Sequence, residues 1–240
     1  MIPKVIHYCW FGHGKLPNST KRNIETWKKY CPDYEIKEWN ESNFDIDCCK
    51  FVRQAYDNRA WAFVSDYARL KIVYDHGGIY LDTDVELLKN LDFLLENSFF
   101  ACISQIDSLC ATGLGYGAEA GNSVIREMMK IYELMEFDPE KKEEIACPYI
   151  NDSVIKSFGY KLSDDVVQVN GMTILPPRYM DPLSPGDSKN LLCDDTISIH
   201  HYSASWTSGL NRLKRKIFDA FGLEHIYKLK QIIRKNEDNN

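Results

Sequence analysis

Gly77-Gly78-Ile79-Tyr80-Leu81-Asp82-Thr83-Asp84 is the stretch that decides the predicted fold. The two glycines are suited to end a helix in left-handed geometry. The residues from Ile79 to Leu81 are large and mostly apolar, which predicts a short buried strand. Asp82 lies where that strand ends, and Asp84 follows two residues later. Carboxylates beside buried backbone are costly unless they are paired or bind a cation, so the two aspartates are a candidate cation site.

The residues before this stretch predict a long helix from Arg59 to His76. Its apolar side chains fall on most sides, which is typical of a helix that is largely buried. Asp66 and Arg69 are three positions apart and therefore share a face. The pair has two open interpretations. It is either a buried structural ion pair or a pair near Asp82 that binds sugar hydroxyls, to which carboxylates and guanidinium groups hydrogen-bond well.

The rest of the sequence predicts an alternation of strands and helices. It opens with a strand from Pro3 to Trp10, a helix that ends near Tyr30 and a strand from Tyr34 to Trp39, an order that predicts a parallel α/β unit. The Gly-rich segment from Ala111 to Asn122 predicts a loop. Further strands are predicted at 99–104, 166–169, 173–175 and 196–200, and two amphipathic helices at about 208–221 and 224–235.

The composition is that of an ordinary globular protein: of 240 residues, 44% are hydrophobic and 27% charged. The net charge of −6 gives no global reason to expect a nucleic-acid partner. Eight cysteines without a CxxC pair favour buried, reduced thiols over a zinc site. No segment approaches the roughly 20 apolar residues that a membrane span needs, and the chain begins without an apolar signal sequence. We therefore expect a cytoplasmic protein.

Asp82 and Asp84 offer the oxygen ligands that hard divalent cations prefer, which points to Mn²⁺ or Mg²⁺. A metal at this position can bridge a diphosphate and stabilise its negative charge as it leaves. A DxD tripeptide alone is more typical of a solvated acidic turn. Its interpretation therefore depends on the residues around it.

Several separated blocks of the sequence together resemble glycosyltransferase family 32. The central block is Ala62-x-x-Ser65-Asp66-x-x-Arg69 followed by Gly77-Gly78-x-Tyr80-x-Asp82-x-Asp84. The opening Ile2-Pro3-Lys4-Val5-Ile6-His7-Tyr8-Cys9-Trp10-Phe11-Gly12 and the ending His200-His201-Tyr202-Ser203-Ala204-Ser205-Trp206 are similar to the bacterial capsule and polysaccharide transferases of that family. Yeast Golgi mannosyltransferases also belong to it, and the clostridial glucosylating toxins are distant relatives. The resemblance covers about residues 1–206.

The resemblance implies a GT-A fold, a Rossmann-like mixed α/β sheet flanked by helices. Residues 1–206 would be the catalytic domain and 207–240 a basic amphipathic helical extension. The implied reaction transfers a hexose, with retention of configuration, from a nucleotide-sugar to a glycan or lipid-linked glycan in polysaccharide biosynthesis. A UDP-sugar is favoured over GDP-mannose as the donor.

The resemblance also implies roles for residues at the diphosphate end of the donor. Asp84 would bind the metal directly. Asp82 would contact the ribose and the sugar, and the metal through water. His201 would make a further contact to the metal or the diphosphate. Trp206 would close over the diphosphate, and Ser205 would donate a hydrogen bond to it.

Other residues are implied at the sugar and the base. Asp66 and Arg69 would hold the donor sugar and complete a catalytic set with the two aspartates of the DxD motif. Trp10, at the end of the first strand, would lie at the nucleotide base. Tyr80 is expected among the donor-binding residues.

Two segments depart from the usual pattern of the family. Many members carry a Gly-Pro pair after the middle helices, where this sequence has Cys147-Pro148-Tyr149-Ile150-Asn151-Asp152. The Gly-rich run Thr112-Gly113-Leu114-Gly115-Tyr116-Gly117 is less typical of the family, and it lacks the spacing and context of a dinucleotide-binding motif. Both segments are expected on the acceptor side, so the acceptor stays open.

Two rival functions and one surface property complete the predictions. Asp82-Thr83-Asp84-Val85 fits the motif of haloacid dehalogenase-type phosphatases, with Asp82 as nucleophile and Asp84 as acid/base, although that motif normally ends the first strand. A non-catalytic sugar-binding module would need neither a metal nor the Asp66–Arg69 pair. The basic helices within 208–235 either lie on anionic lipid, as a peripheral membrane contact, or pack on the domain.

Overall fold

Seven strands form one mixed sheet, against which the helices pack. The computed structural model describes residues 1–142, 145–185 and 188–203. In chain order the elements are β1 (Val5–Cys9), α1 (Asn18–Tyr30), β2 (Glu35–Trp39), α2 (Lys50–Asp57), α3 (Trp61–His76), β3 (Gly78–Tyr80), β4 (Val85–Leu87), β5 (Phe99–Cys102), β6 (Tyr116–Ala118), α4 (Ser123–Leu134), α5 (Cys147–Ser157), β7 (Val167–Val169), β8 (Met172–Leu175) and β9 (Ser198–His200). The described residues also contain two short 3₁₀ helices, Asp92–Leu94 and Pro139–Lys141.

The strand order of the large sheet is β2-β1-β3-β6-β5-β8-β7. Strands β2, β1 and β3 run parallel, and so do β5 and β8, while β6 and β7 are antiparallel to their neighbours. Strands β4 and β9 form a separate antiparallel pair. The predicted mixed α/β sheet flanked by helices is therefore confirmed.

The carboxyl ends of β1, β2 and β3 meet at one edge of the sheet. Cys9 is in register with Trp39, and His7 with Tyr80. The segments that follow these strands therefore come together, which is where open α/β sheets bind their ligands. Trp10 follows β1, Asn40 follows β2 and Asp82 follows β3.

Helix α3 confirms the predicted buried helix, although it begins at Trp61 rather than at Arg59. Its buried residues lie on most of its circumference. It ends at Gly77, whose φ is +66°, and Gly78 follows with a φ of +111°. A side chain at Gly78 would also clash with His7, because its Cβ would lie 2.8 Å from His7 Nε2. Both glycines are thus needed where the chain turns from α3 into β3.

His7 ties this turn to the neighbouring strand. Trp39 Nε1 donates to His7 Nδ1 over 3.1 Å, so the proton of the neutral ring is on Nε2, which donates to the Gly77 carbonyl over 2.9 Å. The side chain is 1% exposed. Burial penalises the charged ring and lowers the pKa of His7 to about 4.

We expect the stability of the fold to fall between pH 7 and pH 5 in part because of His7. The folded-state pKa lies below the ordinary value, so the stabilisation is complete above about pH 6.5 and is lost as the pH falls toward 4. By pH 5 the loss should be about 2 kcal/mol. Urea unfolding at both pH values should show a smaller pH dependence for His7→Gln, whose amide can replace both hydrogen bonds. An equal pH dependence would contradict this role of His7.

Strand β6 corrects the predicted loop from Ala111 to Asn122. The sequence does not predict this strand because Gly117, a residue uncommon in strands, lies at its centre. A Cβ at Gly117 would lie 2.6 Å from Phe100 Cε1 and 3.0 Å from the Gly78 carbonyl, so only glycine fits between the neighbouring strands. Tyr116, beside it, is fully buried.

Residues Met1–His201 form one compact unit. The helices predicted at 208–221 and 224–235 lie outside the described residues, and the domain boundary at 206/207 stays a prediction. Within the described part of the chain, no helix is long and apolar enough to cross a membrane.

Candidate active site

The DxD segment links β3 to β4, and β9 brings a histidine beside it. In the pairing of β4 with β9, Val85 is in register with His200. His200 Nε2 lies 3.1 Å from Asp84 Oδ1. Asp82, Asp84 and His200 each offer one ligand atom, and these atoms all lie within 4.8 Å of one another.

These three side chains fit a divalent cation. Two carboxylates and an imidazole are a donor set that such cations accept in proteins. The three residues are only partly buried, so the group opens toward the surface. Three protein ligands also leave coordination positions for diphosphate oxygens and water.

Arg69 joins the α3 ion pair to the DxD segment. Its Nη2 lies 2.8 Å from Asp66 Oδ1 and 3.5 Å from Asp82 Oδ1. The side chains of Arg69 and Asp66 are 4% and 10% exposed. The two interpretations of this pair are therefore compatible, because it is a buried ion pair that also borders the DxD segment.

Tyr80 holds Asp82 from the other side. Its hydroxyl donates to Asp82 Oδ1 over 3.0 Å, and the Arg69 guanidinium lies 4.9 Å from the centre of its ring. Asp82 is therefore oriented by a phenol and a guanidinium at once. If the Tyr80 hydroxyl moved away from Asp82, a buried polar atom would be left unpaired.

Burial raises the pKa of both inner carboxylates, and Arg69 opposes the rise. The pKa of Asp66 is raised to about 6 by burial, which the positive charge of Arg69 limits. Burial likewise raises the pKa of Asp82 against the effect of Arg69, and the charge of Asp84 raises it further. Because the charges of Asp82 and Asp84 repel each other, a cation between these two carboxylates is favoured.

Trp10 borders a depression at the ends of β1 and β2. The depression has a volume of about 490 Å³ and is lined by Trp10 and Gly14 after β1 and by Asn40, Glu41 and Ser42 at the end of β2. Trp10 Nε1 donates to the Gly14 carbonyl over 2.6 Å, which fixes the ring. The predicted base-binding tryptophan thus stands in a concave surface at the same sheet edge as the DxD segment.

His201 donates its backbone N–H to the Asp84 carbonyl over 2.9 Å, but its side chain is not part of the group formed by Asp82, Asp84 and His200. His201 Nε2 lies 2.9 Å from Glu86 Oε2, and the His201 side chain is 46% exposed. His200, which was not predicted as a site residue, takes the position beside Asp84. The alternation of side chains along β9, combined with its register on β4, is the pattern that distinguishes the two histidines. Ser205 and Trp206 lie outside the described residues.

Comparisons with known proteins identify the class of enzyme. Residues 17–101 match the sequence model of the glycosyltransferase sugar-binding region containing the DXD motif. The chain is a DXD-motif glycosyltransferase. This glycosyltransferase is 25% identical over 235 residues to an uncharacterized glycosyltransferase, L373, of Acanthamoeba polyphaga mimivirus, with 89% of this chain and 87% of that protein covered.

Two further relatives cover a smaller share of the glycosyltransferase. Inositol phosphoceramide mannosyltransferase 3 of Schizosaccharomyces pombe is 35% identical over 106 residues, which are 39% of this chain and 27% of that protein. The solved structure of the PaToxG glycosyltransferase superposes with a TM-score of 0.52 at 16% identity, covering 65% of this chain and 69% of that one. The fold is the GT-A fold, and the resemblance to glycosyltransferase family 32 is consistent with these relatives. The match across the DxD segment favours a glycosyltransferase over the phosphatase and the non-catalytic module.

Proposed function

We propose that this glycosyltransferase is metal-dependent, uses a nucleotide-sugar donor and transfers a hexose with retention of configuration. The observation that carries the proposal is the group formed by Asp82, Asp84 and His200 beside the buried Asp66–Arg69 pair. A cation site, a sugar-binding pair and an aromatic depression then line one edge of the sheet. A nucleoside diphosphate sugar has matching parts in a diphosphate, a sugar and a base.

Asp84 and His200 would hold the cation, Mn²⁺ or Mg²⁺, with Asp82 as the third ligand, directly or through water. The bound cation would supply positive charge that stabilises the diphosphate as it leaves. Asp82, held by Tyr80 and Arg69, would keep its remaining oxygen for the ribose and the sugar.

Asp66 and Arg69 would bind the sugar of the donor. Among the described residues, Arg69 Nη1 is buried and has no hydrogen-bond partner. Such a donor costs about 1–3 kcal/mol unless a ligand or water accepts from it, and a sugar hydroxyl is a suitable acceptor. Trp10 would contact the base at the far end of the donor.

In the proposed reaction the bond from the anomeric carbon to the diphosphate oxygen breaks, and a bond to the acceptor oxygen forms on the same face. The acceptor proton passes to the departing diphosphate. Arg69 would stabilise the anion that leaves, together with the positive charge that a bound cation would supply.

A UDP-sugar is the donor we favour, and the acceptor we propose is a glycan or a lipid-linked glycan in polysaccharide biosynthesis, such as capsule. The fission-yeast relative is named as an inositol phosphoceramide mannosyltransferase, which supports including an acceptor joined to lipid. A cytoplasmic location with peripheral membrane contact through residues 208–235 would suit that acceptor.

Slow donor hydrolysis tests the proposed function without a known acceptor. We expect the protein with Mn²⁺ to release UDP or GDP from one member of a panel of nucleotide-sugars, and we expect EDTA to stop the release. Nucleoside diphosphate is measured by a coupled assay. Release from no donor would count against the proposal, and release of inorganic phosphate from simple phosphate esters would restore the phosphatase.

A further inference from the structure

The Gly-rich run that follows β5 lies against the candidate active site. A Cβ at Gly113 would lie 2.5 Å from Asp82 Oδ2 and 3.1 Å from Arg69 Nη1. Both distances are below ordinary contact, and the first is shorter than real Cβ atoms show. Gly113 therefore forms a wall of the site, and a side chain at this position would have to displace the Asp82 carboxylate and press on the Arg69 guanidinium.

Helix α5 holds this wall through a buried hydrogen bond. Asn151 Nδ2 donates to Thr112 Oγ1 over 2.9 Å, and both residues are fully buried. Asp152, next on the helix, accepts from the Cys110 N–H over 3.4 Å. Two consecutive polar residues of α5 thus fix the run just before Gly113.

The buried position of the polar Asn151 side chain lowers the stability of the fold. Its Oδ1 is buried and accepts no hydrogen bond from any residue that the structure describes. Such an atom costs about 1–3 kcal/mol, and an apolar side chain of similar size would avoid the cost. The hydrogen bond from Asn151 to Thr112 partly offsets this cost.

We propose that Asn151 and Thr112 are positioning residues for the donor site. Through them α5 fixes Gly113 against Asp82 and Arg69, and this contact sets the orientation in which both side chains meet the donor sugar. The inference rests on the proposed function, because it assigns the sugar to Asp82 and Arg69. It also places Gly113, which belongs to a run expected on the acceptor side, in the wall of the donor site.

The contact itself can be tested by a double-mutant cycle on thermal stability. We expect Gly113→Ala to lower Tm by at least about 3 °C, because its methyl group strikes Asp82. In the Asp82→Ala background the same change should lower Tm much less, because the struck carboxylate is gone. Gly121→Asn is the matched control, since Gly121 has open space around its Cβ position and Asn tolerates its φ of +73°. Equal losses of Tm in both backgrounds would overturn the contact.

The positioning role is tested by donor hydrolysis with Mn²⁺. We expect Thr112→Val, which keeps the shape and removes the hydroxyl, to raise the donor KM about fivefold or more, and Asn151→Leu to do the same. Thr112→Ser restores the hydroxyl and should restore the KM. If these variants have a lower Tm and an unchanged donor KM, Asn151 and Thr112 have only a structural role.

The experiments distinguish a failure of the proposed glycosyltransferase function from a failure of the positioning role of Asn151 and Thr112. If the unaltered protein releases no nucleoside diphosphate from any donor, the proposed function fails, and the positioning role that rests on it fails too. The cycle on Tm still decides whether Gly113 contacts Asp82. If the unaltered protein is active and the Thr112 and Asn151 variants match its KM, only the positioning role is wrong.

Discussion

Asp84→Asn is expected to abolish donor hydrolysis and sugar transfer while the protein stays folded. The substitution keeps the shape of the side chain and removes the charge that faces His200 and the proposed cation. Asp84 lies in the link between β3 and β4, partly open to the surface, so little packing is lost. We expect kcat to fall about a hundredfold to a thousandfold, the range usual when one charge-stabilising group is removed. Nucleoside diphosphate release at saturating donor and Mn²⁺ measures the effect.

Asp75→Asn is the matched control for this variant. Asp75 is a half-exposed aspartate of α3 that pairs with Lys71 on the same helix. The same chemical change there should leave kcat within about twofold, because exposed ion pairs contribute little. A Tm near that of the unaltered protein would confirm that Asp84→Asn is folded. Full activity of folded Asp84→Asn with Mn²⁺ present would refute the proposed mechanism.

The parts of the fold that the sequence predicts are those governed by local pattern. The apolar run of β1, the buried helix α3 and the glycines after it carry clear periodicity and turn chemistry, and the structure confirms them. Asp66 and Arg69 were predicted on one face because helical spacing alone decides that. Their closeness to Asp82 also follows from local connection, since Gly77 and Gly78 turn α3 directly into β3.

The parts that the sequence did not predict depend on contacts between distant residues. Strand β6 has glycine at its centre, so its composition indicates a loop until the neighbours that exclude a side chain are known. Gly113 faces Asp82 only because β6 lies between β3 and β5 in the sheet. His200 reaches Asp84 through the register of β9 on β4, and more than a hundred residues separate the two strands. A one-residue shift in that register would exchange the two histidines.

His200→Ala and His201→Ala should therefore differ strongly in their requirement for metal. His200 Nε2 lies 3.1 Å from Asp84 Oδ1 within the candidate metal site, and its side chain is 12% exposed. Its loss should raise the Mn²⁺ concentration needed for half-maximal donor hydrolysis by about 10–100-fold or more, the range seen when groups that support a metal are removed. The measurement is a Mn²⁺ titration of nucleoside diphosphate release for each variant.

His201→Ala is the control that the chain itself provides, one residue away. His201 contacts Glu86 at the surface, and contacts between such exposed groups contribute at most about 1 kcal/mol. We expect its Mn²⁺ requirement to stay within about twofold of that of the unaltered protein. The opposite pattern, with His201→Ala impaired and His200→Ala normal, would support the metal contact that the family resemblance implies for His201. It would also require β9 to pair with β4 in a different register when metal and donor bind.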